Sequence, residues 1–222
     1  MSAHGMEMTN LEKMLAQLGA MTLERLQLAL NAVKRSDRRL AKKAWEKDLE
    51  IDHLGLDLED GVLALLGKEH LVADEMWFAV STLKIKTACI WVVKAARKIE
   101  SFAGSGEINV RQAPIREFAG SWAEVEKAVR MAVKSLKNRD VAIAEEILFM
   151  NESPGKNWDT DMALTALLLA DPEATGEAIN FISVSRLLES VRKSASEMAR
   201  EILFLSGELS QAERWRRPEM AM

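Results

Sequence analysis

Apolar residues recur along this chain at alternating spacings of three and four, the mark of amphipathic helices packed through one face. The pattern predicts a first helix over Thr9–Lys34, with Leu11, Leu15, Leu18, Leu26, Ala29 and Val33 on one side. Thr9 and Glu12 read as a capping box at its start. Ser36-Asp37 reads as a break and a fresh cap. A second helix follows to about Leu66, its stripe formed by Leu40, Ala44, Ile51, Leu54, Leu58 and Leu65, with Gly67 as C-cap. The third runs from near Asp74 to about Ile99 on a seam of Ile85, Cys89, Val92, Ala96 and Ile99. Ser101–Ala113, with two glycines and no helical period, reads as a linker.

A fourth helix is expected from Pro114, a residue suited to a first turn, through Ile115, Phe118, Trp122, Val125, Val129, Ala132 and Leu136. Asn138–Asp140 closes it, and a fifth helix begins near Val141. Pro154, in the run Asn151–Gly155, removes a donor and clashes with the preceding turn, so a kink or break is expected before helix resumes over Trp158–Leu169. Asp171-Pro172-Glu173 combines an acceptor cap, a first-turn proline and an acid near the positive dipole end, and so opens the sixth helix. That helix carries Val184, Leu188, Val191, Ala195, Met198, Ile202 and Leu205 and stops at Gly207.

The two halves repeat. Ala32-Val33-Lys34 and Ala132-Val133-Lys134 stand at the same point before a turn. A shift of 99 residues lays the third-helix seam on Val184, Leu188, Val191, Ala195 and Met198. A period near a hundred residues is a duplicated domain, not a solenoid. Short turns make the three helices of each half antiparallel neighbours. The expected fold is all-α: two tandem antiparallel three-helix bundles with a pseudo-symmetric repeat. Residues 9–100 form the first bundle, 101–113 the linker, 114–209 the second bundle and 210–222 a tail.

Composition and charge narrow the function. Few aromatics and no tyrosine, with apolar content carried by Leu, Ala, Val, Ile and Met, favour long helices. A net charge of −4 speaks against nucleic-acid binding, which needs a basic face. The single cysteine, Cys89, cannot form an internal disulfide and fits a reducing compartment; in a core seam it reads as a small apolar residue. The opening MSAHGMEMTN lacks the layout of a signal peptide, and no apolar run approaches the ~20 residues of a membrane span, so a cytoplasmic protein is expected. There is no nucleophile–base signature, phosphate-cradling Gly-rich loop or zinc spacing, which argues against an enzyme.

Four segments, Asp48-x-x-Ile51-Asp52-x-Leu54, Leu83-Lys84-Ile85, Asp171-Pro172 and Ser185-Arg186-Leu187-Leu188-Glu189, resemble those of the PhoU family of phosphate-signalling regulators. With the duplication, the likeness runs from about Leu11 to Gly207. It implies a homodimeric regulatory adaptor, a negative regulator of phosphate uptake and of the phosphate-starvation response. Its implied partners are a phosphate transporter ATPase and a sensor histidine kinase, with membrane contact only through them. The alternatives are a metal-binding helical bundle and an accessory regulator of another phosphate or anion transporter.

The departures from the family pattern fall on its acids. The hallmark Glu-Arg-Ile-Gly-Asp, whose Glu and Asp share a helical face and can hold metal ions, reads Ile90-Trp91-Val92-Val93-Lys94 in the first half and Glu189-Ser190-Val191-Arg192-Lys193 in the second. An ammonium has no lone pair for a metal and repels it. The family's Asp-Leu-Arg reads Glu75-Met76-Trp77, and Asn151 and Pro154 stand where an Asp and an Ile would be. No metal cofactor is therefore expected, although the resemblance implies a divalent or iron-type ion. Asp48, Asp52 and Glu189 remain as vestigial ligand candidates, the first two reading rather as a solvated acidic stripe paired with nearby lysines than as a metal site. Glu189 with Lys193 reads as a surface ion pair.

Trp77 and Trp91 share one heptad position with Lys84 between them, and Ile90 lies beside Trp91. One reading makes Trp77, Ile90 and Trp91 a partner or dimer surface; the other buries this apolar helix within its own bundle. His4 falls in an N-terminal tail and His70 in a loop, and Arg214-Trp215-Arg216-Arg217-Pro218 reads as a solvated basic tail.

Overall fold

The computed structural model describes residues 4–35, 38–104, 115–152 and 175–208. Among them are six helices and no strand: α1 (Gly5–Arg35), α2 (Arg38–Leu66), α3 (Ala73–Gly104), α4 (Ile115–Asn138), α5 (Val141–Glu152) and α6 (Thr175–Leu205). In the first half, α1, α2 and α3 pack mutually; in the second, α4, α5 and α6 do the same. The halves join through equivalent helices, α1 against α4 and α3 against α6. The fold is the all-α bundle pair that the repeat implies, with a single core cluster running through both halves.

The apolar stripes are that core. Leu11, Leu15, Leu18, Leu26 and Ala29 of α1 are buried, as are Ala44, Ile51, Leu58 and Leu65 of α2, with Leu54 half-buried. All five seam residues of α3 are sealed from solvent, and on α6 the seam is buried from Val184 to Ile202, with Leu205 emerging at the end. On α4, Trp122, Val125, Val129 and Ala132 are buried. Helices α1 and α4 cross at Gly19. A Cβ there would sit 3.5 Å from side-chain carbons of Leu136 and Val133, so a longer side chain would wedge the halves apart.

Several local expectations change. The first helix begins at Gly5, where the His4 carbonyl accepts the N–H groups of Glu7 and Met8 at 3.1 Å. Thr9 is interior and donates its hydroxyl to the Gly5 carbonyl at 2.8 Å, while Glu12 pairs with Arg139 of the α4–α5 turn, so the capping box does not form. His4 is anchored rather than trailing: its Nδ1 lies 3.0 Å from the buried Glu75 carboxylate. Ser101–Gly104, read as linker, extends α3. Gly67 continues the hydrogen bonding of α2 to Leu63, and the left-handed residue of that turn is His70, at φ 61°.

Two ends behave as expected. Asp140 caps α5 by accepting the Ile143 N–H on Oδ1 at 3.1 Å. Gly207, at φ 80°, ends α6 with Glu208 N–H bonded to Leu203 C=O, a Schellman arrangement that glycine tolerates without a Cβ clash. One expectation about apolar runs fails: Ala73–Ser101 of α3 is long and apolar enough to cross a membrane. Its position between α1, α2 and α6 accounts for this, because a helix flanked by three others needs apolar residues on several faces. The break at Ser36-Asp37, Leu40, the Pro114 start, the Pro154 interruption, Trp158–Leu169, the Asp171-Pro172 opening and the Arg214–Pro218 tail lie outside the described residues or side chains, as do the side chains of Val33, Ile115 and Phe118.

Candidate functional site

Two places concentrate chemistry, both on α3. The first is an open groove of about 540 Å³ where α3 meets α6, lined by Val80, Leu83, Lys84, Thr87, Ala88 and Trp91 from one side and Ser190, Lys193, Ser194 and Glu197 from the other. It lies along the two hallmark segments, which the α3–α6 pairing brings together. The antiparallel pairing is held by Trp77 set edge-on against Phe204, ring centroids 5.6 Å apart, and by Lys84 Nζ 3.0 Å from the buried Glu201 carboxylate.

Trp91 stands 58% exposed at the groove wall, with the Lys94 ammonium 5.7 Å from its ring centroid. The Lys94 ammonium takes one face of the indole, and the rest of this exposed ring is available to a partner. The three residues read as one surface do not form one. Trp77 is half-buried on Phe204, and Ile90 packs on α2, where its Cδ1 would lie 3.5 Å from a Cβ at Gly55. Of the three, Trp91 is the exposed one, at the wall of the groove that Ser190, Lys193 and Ser194 of α6 also line.

The second place is an ion network joining α1, α2 and α3. Arg25 of α1, 1% exposed, donates from Nε to Asp48 Oδ1 and from Nη2 to Glu100 Oε2, each at 2.6 Å. Arg97 of α3 donates from Nη2 to Asp52 Oδ2 at 2.8 Å, and its Nε lies 2.9 Å from Asp48 Oδ2 without hydrogen-bond alignment. Burial pushes the Glu100 carboxyl above its ordinary value of 4.5, with the Arg25 charge opposing. Burial works against the Arg97 charge, but its bond to Asp52 and the two aspartate charges outweigh that, and its pKa is raised.

This revises the reading of Asp48 and Asp52. They are not an acidic stripe facing lysines. Asp48 is buried, and both are committed to guanidinium groups. Arg25 and Arg97 carried no sequence signal, since their partners lie 23, 45 and 75 residues away. Glu189 is bonded to Arg192 within α6 at 3.1 and 3.2 Å and sits 3.9 Å from Lys193. Among the described residues, no three His, Cys, Asp or Glu side chains gather as a metal-binding group. The three carboxylates read as vestigial ligands, Asp48, Asp52 and Glu189, are paired with guanidinium groups, and positions 94 and 193 carry ammonium. This donor set does not fit a cation. Cys89 is buried against Thr22, and desolvation pushes its thiol up to about 12, so it is no reactive nucleophile.

Comparison with known proteins agrees with the fold. Residues 15–103 match the family model of the PhoU domain. The chain is 20% identical over 204 residues to the phosphate-specific transport system accessory protein PhoU homolog of Pseudomonas aeruginosa, covering 90% of this chain and 83% of that one. The crystal structure of PhoU from the same organism superposes with a TM-score of 0.85 at 18% identity, covering 93% of this chain and all of the other. The phosphate transport system regulatory protein PhoU from Streptococcus pneumoniae superposes with a TM-score of 0.77 at 17% identity, covering 93% and 99%. Residues 15–103 are thus similar to the PhoU domain, and the described chain has the fold of the two PhoU structures.

Proposed function

We propose that this protein is a regulatory accessory of a phosphate transport system, a negative regulator of phosphate uptake and of the starvation response. It acts as a homodimeric cytoplasmic adaptor between the transporter ATPase and a sensor histidine kinase. The observation that carries this reading is the near full-length likeness, in sequence and fold, to a phosphate-specific transport system accessory protein. Adaptor action needs no covalent step: a partner bound in one of its states has its equilibrium shifted toward that state. The α3–α6 groove, with Trp91 at its wall, offers the surface for such binding.

Deletion of the gene in its host, followed by alkaline phosphatase activity in phosphate-rich medium, tests the reading. Strong derepression reversed by the wild-type gene is expected; unchanged activity removes the negative-regulator role. A second reading, accessory to another phosphate or anion transporter, is favoured by the lysines at the hallmark positions, Lys94 and Lys193. Uptake measured for a panel of oxyanions in the deletion strain separates the two.

A further inference from the structure

We propose that the guanidinium groups of Arg25 and Arg97 take the place of a divalent cation in the acid cluster of the first bundle, so that α1, α2 and α3 are tied at this point by an internal arginine lock and not by a metal. Asp48 is the keystone. It meets both guanidinium groups: Oδ1 accepts from Arg25 Nε at 2.6 Å, while Oδ2 lies 2.9 Å from Arg97 Nε and also accepts from Arg25 Nη2 at 3.4 Å. Arg25 continues to Glu100 on α3, and Arg97 continues to Asp52, one turn along α2 from Asp48. Two guanidinium groups bring the same two positive charges that one divalent ion would. They reach carboxylates on two helices at once, as a bridging ion does.

Charge bookkeeping supports the substitution. Three carboxylates brought together without a cation repel one another and disfavour ionisation. A guanidinium stays charged even when buried, so Arg25 and Arg97 permanently offset two of the three carboxylate charges, whereas a metal would do so only when loaded. The acids Asp48 and Glu100 are thus charge-paired with groups the chain always carries, with Glu100 bonded through Oε2 only. A free cation entering here would have to displace Arg97 from both aspartates and leave an unpaired guanidinium beside a positive ion.

The test uses the full-length chain. Wild-type protein dialysed against EDTA is expected to hold far less than one transition-metal ion per chain by elemental analysis. Its melting temperature should move by less than about 1 °C on adding millimolar Mn²⁺, Zn²⁺ or Mg²⁺. Arg97→Glu removes one guanidinium and supplies a third carboxylate next to Asp48 and Asp52. In that variant Mn²⁺ is expected to raise the melting temperature by about 3 °C or more, and adding Asp52→Asn should abolish the rise. Arg97→Lys, which keeps the charge and loses the fork, should melt lower than wild type and show no response to cations. A near-stoichiometric metal that survives EDTA in wild type and is lost in Asp48→Asn overturns the proposal, as does a folded Arg97→Glu with no cation response. If Arg97→Glu does not fold, wild-type metal content and the cation response of wild type and Arg97→Lys decide the matter: a stabilising response in either one sinks the lock.

Discussion

The arginine network and the α3–α6 groove lie on the same helix, yet they treat charge in opposite ways. In the network, Arg25 is almost wholly buried and its bonds run across three helices. In the groove, Lys94 and Lys193 stand in solvent around an exposed indole. A buried charge whose partner is removed has nowhere to go, whereas an exposed one is solvated and screened. The comparison teaches that residue type alone does not decide a charge's role. Asp48 and Glu100 in the first place are structural because they are enclosed, and Lys94 and Lys193 in the second are available because they are not.

The comparison breaks most visibly at Arg25. Arg25→Met removes the counter-charge from the mostly buried Glu100 and leaves Asp48 with Arg97 alone, and a loss of about 3–5 kcal/mol is expected in denaturant unfolding. A loss below about 1 kcal/mol would mean that the network does not hold the bundle. Next comes the half-buried tryptophan of the α3–α6 seam. Trp77→Ala removes the edge-on contact with Phe204 and should cost about 2–4 kcal/mol, measured the same way.

A smaller effect of definite sign comes from Glu100. Its folded-state pKa lies above the ordinary value, so its favourable contribution is present in full below 4.5 and is lost as pH rises through the folded value. Facing it are Arg25 and, beyond, Asp48 with Arg97. Wild type should therefore gain stability relative to Glu100→Gln as pH falls from 7 toward 4.5. A stability difference independent of pH over that range would contradict the assignment. The smallest change in stability is expected at Trp91. Trp91→Asp should alter folding by no more than about 0.5 kcal/mol, while capture of the transporter ATPase by the purified protein falls sharply. Unchanged capture would remove the groove from the proposed adaptor surface.

Much of the fold was legible because the apolar spacing is local and regular. The seams on α3 and α6 follow the three-four rhythm and are buried in the order expected, and Gly207 ends α6 as a left-handed cap. The capping box at Thr9 failed for a physical reason. Its residue types suit a helix start, but helix continues four residues further upstream and His4 anchors it on Glu75. The candidate site was legible only in part. The loss of the hallmark acids can be read directly from Lys94 and Lys193, but neither Arg25 nor Arg97 stands out in the sequence, where both look like ordinary surface cations.

The sequence by itself determined an all-helical chain, its apolar faces, its duplication and its departures from the PhoU acid pattern, because each depends on residues within a few turns or one repeat of each other. Only the tertiary structure decided that α3 pairs with α6, which hides Trp77 and leaves Trp91 in the open. It also decided that Arg25 meets Glu100 across 75 residues of chain. Electrostatic partners are chosen by proximity in space and by burial, and a linear order of residues contains neither.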